Sequence, residues 1–168
     1  MRITPWLRRS VARRVVLAGV WLAMSVEPAR ADITAFLGVS PTPQLRMARG
    51  FSGGLSLLIV GFEFEYANLV EEATDALPSL KTWSGNVLLQ TPVAIGGVTL
   101  YGTAGAGGYQ EALGPLDEIN AAINLGGGAK IRIAGPFRVR VDYRVFRLQG
   151  KPLYPTYQRL YVGANLRF

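Results

Sequence analysis

Cysteine and histidine are both absent from the 168 residues of this chain. Without cysteine there are no disulfide bonds and no thiolate metal ligands. Without either residue, the commonest pairs that activate a catalytic nucleophile cannot form. The sequence also lacks a GxSxG elbow, a P-loop and a GxGxxG segment between a strand and a helix. We therefore predict that the protein is not an enzyme and that it carries no metal and no cofactor.

The first 31 residues are predicted to be a signal peptide rather than part of the fold. Residues 1–14 carry five arginines and no acidic residue, and residues 15–26 form an apolar run. That run is too short to span a bilayer as a helix, which needs about 20 residues. An A-x-A cleavage sequence follows it. The residues of the predicted cleavage site are Ala29, Ala31 and Asp32.

Most of the positive charge belongs to this leader. The net charge of the whole chain is +7, but residues 1–31 hold six of the 18 basic residues and one of the 11 acidic ones. Residues 32–168 therefore carry 12 basic and ten acidic side chains, a net charge of +2. Because a nucleic-acid-binding domain needs a basic patch in its folded part, we expect no nucleic-acid partner. The length of this part indicates a single domain.

No apolar stretch after the leader has the length of a membrane helix, so any membrane crossing must use strands. In residues 137–146, FRVRVDYRVF, apolar residues alternate with charged ones. Strand side chains alternate between faces, so one face is apolar and the other charged. The pattern returns in GFEFEY, AKIRI and the final RLYVGANLRF. Such alternation, with charges of both signs on one face, is typical of a barrel wall between lipid and a polar lumen.

The chain after the leader is predicted to form eight strands. Their ranges are 33–39, 46–57, 60–67, 80–91, 98–109, 120–133, 137–146 and 158–168. Longer connections (40–45, 68–79, 111–119 and 148–157) alternate with shorter ones (58–60, 92–97 and 134–136). Outer-membrane barrels have short periplasmic turns and longer outer loops. The predicted fold is therefore an all-β, eight-stranded, antiparallel up-and-down transmembrane barrel over residues 32–168.

The charged faces of these strands define a predicted lumenal charge network. Its members are Glu63, Glu65, Lys130, Arg132, Arg138, Arg140, Asp142, Arg144, Arg159 and Arg167. An eight-stranded interior is just wide enough for side chains, so these residues are expected to fill it and neutralise one another. The alternative is a gated, anion-favouring pathway lined by surplus positive charge. Nine arginines against three lysines after residue 31 favour the filled interior, because the planar guanidinium suits multiply bonded ion pairs.

Several features in order resemble the small eight-stranded outer-membrane barrels, the family that includes the OmpA membrane domain, OmpX and the opacity porins. They are the A-R-A site, the FEFEY strand, the glycine-rich GTAGAGGY and the final LYVGANLRF. The resemblance implies an outer-membrane location among lipid and lipopolysaccharide, and biogenesis through periplasmic chaperones and the barrel assembly machinery. In that family the machinery reads the terminal aromatic strand. The resemblance implies the same assembly signal for Leu160, Val162, Ala164, Leu166 and Phe168.

Members of that family serve as anchors, adhesins or small pores, so the resemblance implies location more than activity. Our leading hypothesis is a monomeric, non-enzymatic outer-membrane barrel with a structural or loop-mediated binding role. A narrow anion-favouring porin for small solutes is one alternative. A soluble lipocalin-like ligand-binding barrel, with its apolar face inward, is another that alternation alone leaves open.

Overall fold

The computed structural model of the chain describes residues 29–69 and 77–168. Within these residues the chain forms eight strands. They are β1 Arg30–Ser40, β2 Arg46–Leu57, β3 Val60–Leu69, β4 Ser79–Gln90, β5 Val98–Leu113, β6 Leu116–Ala134, β7 Phe137–Leu148 and β8 Thr156–Arg167. Residues 1–28, which hold most of the predicted signal peptide, lie outside the described part. No helix in the described ranges is long and apolar enough to cross a membrane.

The strands form one closed barrel in which each strand pairs with its neighbours in sequence. All pairs are antiparallel, and β8 closes on β1 in a register that runs from Asp32 opposite Arg167 to Val39 opposite Leu160. Ala31 and Phe168 exchange two backbone hydrogen bonds of 2.9 and 3.0 Å beside this seam. The predicted fold, an all-β eight-stranded up-and-down barrel, is confirmed.

The connections lie at two ends of the barrel, which we call the turn end and the loop end. The turn end holds Leu58 and Ile59, residues 91–97, and Gly135 with Pro136, together with the start of β1 and the end of β8. The loop end holds residues 41–45, 77–78, 114–115 and 149–155. Most of the loop predicted over residues 68–79 lies outside the described residues. The tight turn predicted near residues 58–60 is present, with Leu58 at a φ of +50°. Its carbonyl accepts a hydrogen bond of 3.2 Å from Gln90 Nε2.

The acidic loop predicted over residues 111–119 is wrong. β5 and β6 continue as a ladder to Leu113 opposite Leu116, and only Gly114 and Pro115 turn the chain. Gly114 has a φ of +56°, which glycine adopts without steric cost. Acidic residues are depleted in strands, so composition favoured a loop here. Glu111 and Glu118 face each other in this ladder. Backbone N–H groups of the connection 149–155 donate a hydrogen bond to each of them, which stabilises two acidic residues within the hairpin.

The exterior of the barrel is apolar and the interior largely polar. Side chains that point outward include Phe62, Phe64, Leu125 and Val162, each more than half exposed. Those that point inward on β4 are Leu80, Thr82, Ser84, Asn86 and Leu88, all buried. In β5, whose faces the sequence left unassigned, odd-numbered residues such as Thr99, Tyr101 and Thr103 point inward. A soluble lipocalin-like barrel requires the opposite arrangement.

Candidate functional site

The middle of the barrel interior is filled by six charged side chains from three strands. Glu63 and Glu65 come from β3, Arg140, Asp142 and Arg144 from β7, and Arg159 from β8. Their side chains are at most 3 % exposed. We call this set the central network. All six belong to the lumenal charge network predicted from the charged strand faces, and the structure brings them together.

The central network is continuous, because two arginines bridge several carboxylates. Arg144 donates to Glu63 Oε1 at 2.8 Å and to Asp142 Oδ1 at 2.9 Å, and its Nη1 lies 3.2 Å from Glu65 Oε2. Arg140 pairs with Glu63 and lies 3.1 Å from Asp142 Oδ2. Arg159 pairs with Glu65. Charge-assisted bonds of this kind are about twice as strong as neutral ones, so the network braces β3 against β7 and β8 across the lumen.

Aromatic rings complete the central network. Tyr101 donates to Asp142 and accepts a 2.7 Å hydrogen bond from Arg140 Nε. The Arg140 guanidinium lies 4.8 Å from the Tyr101 ring centroid, and that of Arg159 lies 4.6 Å from the Phe146 centroid. Gly128 makes room for Tyr101, since a Cβ there would lie 2.6 Å from the hydroxyl oxygen. Sequence reasoning missed Tyr101, because the faces of its strand were unassigned.

A second buried pair lies nearer the turn end. Lys130 donates to Asp32 Oδ2 at 2.6 Å, and Asn165 donates to Asp32 Oδ1 at 3.2 Å and to Thr34 Oγ1 at 2.9 Å. With the central network, this makes four buried cations paired with four buried anions in the described part of the chain. Arg46 and Glu111, which are also buried, add one charge of each sign. The buried interior is therefore balanced in charge, and the surplus positive charge of the predicted network lies elsewhere.

Three predicted members of the lumenal network do not join the buried pairs. Arg132 is exposed, and Arg138 and Arg167 are only partly buried. They lie with Arg30 around a cavity of about 200 Å³ at the turn end, which we call the vestibule. These residues share the inward face of their strands with the central network, but they lie where the strands begin or end. The alternation of residue types along one strand indicates the face of a residue and not its depth.

The loop end of the interior is closed by an apolar cluster, which the sequence analysis missed. Its buried members are Ala48, Leu69, Leu80, Tyr109, Ala122, Phe146, Leu148 and Tyr157. Tyr154, from the connection 149–155, packs against them. All the buried members fall on inward strand positions, and four of them lie at or next to the loop-end residues of β3, β4, β7 and β8. We call this cluster the plug.

The connection 149–155 packs over the plug and is held there by hydrogen bonds to the two glutamates of the β5–β6 hairpin, Glu111 and Glu118. Glu118 Oε1 accepts the backbone N–H of Lys151 at 2.6 Å. Glu111 accepts the backbone N–H of Leu153 at 2.7 Å and the Tyr157 hydroxyl at 3.0 Å. The interior is thus polar and open to a vestibule at one end, packed in the middle, and covered at the other end.

The residues of the predicted assembly signal share the outer face of β8. Leu160, Val162, Leu166 and Phe168 are 44, 54, 38 and 65 % exposed, and Ala164 lies among them. The structure describes their position and not their recognition, so the signal stays a prediction.

Of the predicted cleavage residues, Ala31 and Asp32 are the second and third residues of β1, where they pair with Leu55 and Gly54 of β2. In the described residues no group of three or more acidic side chains could hold a metal ion.

Comparisons with solved structures agree on the fold. The chain is similar to the N-terminal β-barrel domain of Pseudomonas aeruginosa OprF, with a TM-score of 0.65 and 14 % identity over 86 % of this chain and all of that one. It is similar to Neisserial surface protein A, with a TM-score of 0.63 and 12 % identity over 85 % of this chain and 97 % of that one. It is also similar to the outer-membrane enzyme PagL, with a TM-score of 0.51 and 15 % identity over 80 % of this chain and 98 % of that one.

No protein-family model and no curated protein sequence matches the chain. At these identities the similarity concerns the fold alone. The chain has the fold of the small eight-stranded outer-membrane β-barrels, which confirms the resemblance found in the sequence. Proteins of this fold include both an enzyme and a surface protein, so the fold does not specify an activity.

Proposed function

We propose that this protein is an integral outer-membrane β-barrel without enzymatic activity, which has a structural or loop-mediated binding role. The observation that carries the proposal is the inverted distribution of polarity. Large apolar side chains cover the exterior, while the ion pairs are buried inside. A hydrocarbon surround stabilises that exterior, and a closed barrel satisfies the backbone hydrogen bonds that a bilayer cannot.

In this proposal the turn end faces the periplasm and the loop end faces outward, as in other barrels with short turns on one side. The β5–β6 hairpin then stands on the outside. Its tip carries the exposed Ile119, at 64 %, and the exposed Asp117. The hairpin and the connection 149–155 hold each other through Glu111 and Glu118, which gives the outer surface a defined shape for binding. We propose that the barrel acts as a monomer and is assembled through Leu160, Val162, Ala164, Leu166 and Phe168.

The chain's lack of cysteine provides a clean test of location and orientation. A single cysteine at Asp117 should react with a membrane-impermeant maleimide on intact cells, and one at Ala94, in the turn-end connection, should react only after the envelope is opened. The envelope fraction should contain the protein in a heat-modifiable form. A soluble protein with no mobility shift, or labelling of Ala94→Cys on intact cells, would overturn the proposal.

A narrow anion-favouring pore is the second candidate function, and the vestibule is the observation that favours it. A continuous path, however, would have to pass the central network and the plug, both of which are buried and packed. We therefore expect no steady conductance from the wild-type protein in planar bilayers. Steady anion-selective channels that lose selectivity in Arg140→Ala would reverse the order of the two candidates.

The absence of histidine and cysteine supports a non-enzymatic role, because the commonest activated nucleophiles cannot be built. In the described interior, each carboxylate of the central network is paired with arginines. Ser52 donates a 3.1 Å hydrogen bond to Glu63 and accepts one of 3.3 Å from Arg140, so this hydroxyl is part of the same packed network. Incubation with labelled lipopolysaccharide and phospholipid should leave both lipids unchanged. Release of an acyl chain by the purified barrel would contradict this part of the proposal.

A further inference from the structure

Two arginines in the vestibule face each other directly. Arg132, near the end of β6, is the cross-strand partner of Arg138, the second residue of β7, and both belong to the inward face. Side chains in this relation have Cβ atoms about 4.5–5.5 Å apart, and like charges there destabilise the sheet. The pair is therefore an arrangement that an anion between the two guanidinium groups would stabilise.

No carboxylate in the described part of the chain forms an ion pair with either of these arginines. Asp32, the acid at this end of the interior, is already bound by Lys130 and Asn165. Within the same described residues, Arg138 Nε is buried without a hydrogen-bond partner. Arg132 and Arg138 can therefore donate hydrogen bonds to an anion that is not part of the protein.

The cavity around the pair has the size and the lining that an anion requires. Its volume of about 200 Å³ is many times what one water needs. Besides the arginines, its polar lining comprises Ser56, Gln90, Thr91 and Thr99, and none of its described lining residues is acidic. Arg30 and Arg167 also line it, each held by contacts of its own.

We propose that the vestibule binds a phosphate group through Arg132 and Arg138. A terminal phosphate has three free oxygens, enough to accept paired bonds from two planar guanidinium groups and a further bond from a hydroxyl. A single planar carboxylate offers only two oxygens, which fits this double fork less well. The vestibule is thus a binding site open at the turn end, rather than the mouth of a path through the barrel.

The phosphate can come from a free phosphorylated solute or from a lipid headgroup. A shallow groove continues from the vestibule across the turn-end rim, lined by Arg132, Arg138, Pro136 and Phe168. Phe168 is 65 % exposed, and Phe137, beside it on the exterior, is 62 % exposed. An apolar surface next to a pair of arginines offers places for both an acyl chain and its phosphate, so the two sources must be tested separately.

The first test uses the whole barrel folded in a maltoside detergent, with inorganic phosphate as the probe at constant ionic strength. Phosphate should raise the unfolding midpoint of the wild type in a saturable way. In Arg132→Gln/Arg138→Gln the apparent affinity should fall at least tenfold. The control is Arg147→Gln, which removes an exposed arginine of the same strand at the loop end and should bind phosphate as the wild type does.

Stability without phosphate separates a binding role from a structural one. If the two arginines repel each other, the double variant should be at least as stable as the wild type in phosphate-free buffer, and less stable than the wild type at saturating phosphate. A double variant that is less stable under both conditions by the same amount would overturn the proposal. Equal loss of the phosphate effect in Arg147→Gln would overturn it as well.

The second test replaces detergent with phosphatidylcholine vesicles, with or without phosphatidic acid, in phosphate-free buffer. The terminal phosphate of phosphatidic acid has three free oxygens, whereas the phosphodiester of phosphatidylcholine has only two. A lipid headgroup as the source predicts that phosphatidic acid stabilises the wild type and Arg147→Gln but not the double variant. A free solute predicts saturable binding of inorganic phosphate and no difference between the two vesicle compositions. No stabilisation by phosphate in detergent and none by phosphatidic acid in vesicles would refute the site. The detergent test does not depend on the location of the barrel, so it can fail while the proposed function stands.

Discussion

Replacement of Glu63 by glutamine tests whether the central network is packed and dry. Glutamine keeps the shape of the side chain but removes its charge. Glu63 is the carboxylate shared by Arg140 and Arg144, and it also accepts a 3.1 Å hydrogen bond from Ser52. In Glu63→Gln, five charged side chains of the central network would remain, three of them cations.

The magnitude of the effect follows from the burial. All the side chains concerned are at most 2 % exposed, so water cannot screen the charge that is left. Removal of one partner from a buried ion pair typically costs about 3–5 kcal/mol. At an m value of about 2 kcal/mol/M, such a loss would lower the urea midpoint by about 1.5–2.5 M. Urea is the appropriate denaturant, because guanidinium chloride would itself screen ion pairs.

Asp117→Asn is the matched control for Glu63→Gln. It also converts an acid to its amide, but at the exposed tip of the β5–β6 hairpin, where Gln110 is the partner at 3.1 Å. Surface pairs contribute about 0–1 kcal/mol, so the midpoint of this variant should hardly move. The unfolding of both variants would be followed in vesicles by loss of the heat-modifiable band.

A second substitution should then recover part of the lost stability. In Glu63→Gln/Arg140→Gln the central network again holds equal numbers of cations and anions. Since the two residues are in contact, their effects should not add, and the double variant should be more stable than the sum of the single effects predicts. If Glu63→Gln lies within about 1 kcal/mol of the wild type, the interior is wet and screened, and the packed-lumen interpretation is refuted.

Three further predictions concern the exterior, the C-terminus and the loop end. Val162→Arg places a charge at a 54 % exposed outward position in the middle of β8 and should lower the free energy of unfolding in vesicles by about 2–4 kcal/mol. An unchanged urea midpoint would mean that this face does not contact hydrocarbon. Phe168→Ala keeps the backbone pairing with Ala31 but removes the terminal ring, so the envelope should contain less heat-modifiable protein and more degraded chain. Normal assembly of this variant would contradict the assembly signal. Glu111→Gln weakens the hydrogen bond from the Leu153 amide, so hydrogen exchange at this amide should accelerate while exchange in the central strands stays the same. Equal protection of Leu153 in the variant would show that the connection 149–155 is held in another way.

Much of the fold was predictable from the sequence, because a strand's side chains alternate with a period of two whatever surrounds it. The alternation in residues 137–146 and in FEFEY identified which residues point inward, and β2 begins and ends at the predicted residues. Its turn at Leu58 and Ile59 was predictable without glycine at those positions, because a single strand through this region would be too long to cross a bilayer. At residues 111–119 the composition indicated a loop, but the two acidic side chains lie in a hairpin. They are stabilised there by backbone N–H groups 33 and 42 residues further along the chain.

The depth of each inward residue was decided only by the tertiary structure. Depth in a barrel depends on the register between neighbouring strands and on their tilt, and neither is encoded in the alternation of one strand. Register brings Arg144 to Glu63 and Glu65, which precede it by about 80 positions, and leaves Arg132 opposite Arg138 at the turn end. The same register gathers Tyr109, Phe146 and Tyr157 into the plug. The sequence by itself therefore determined a barrel with a charged interior, whereas only the closed structure divided that interior into a vestibule, a balanced network and a covered end.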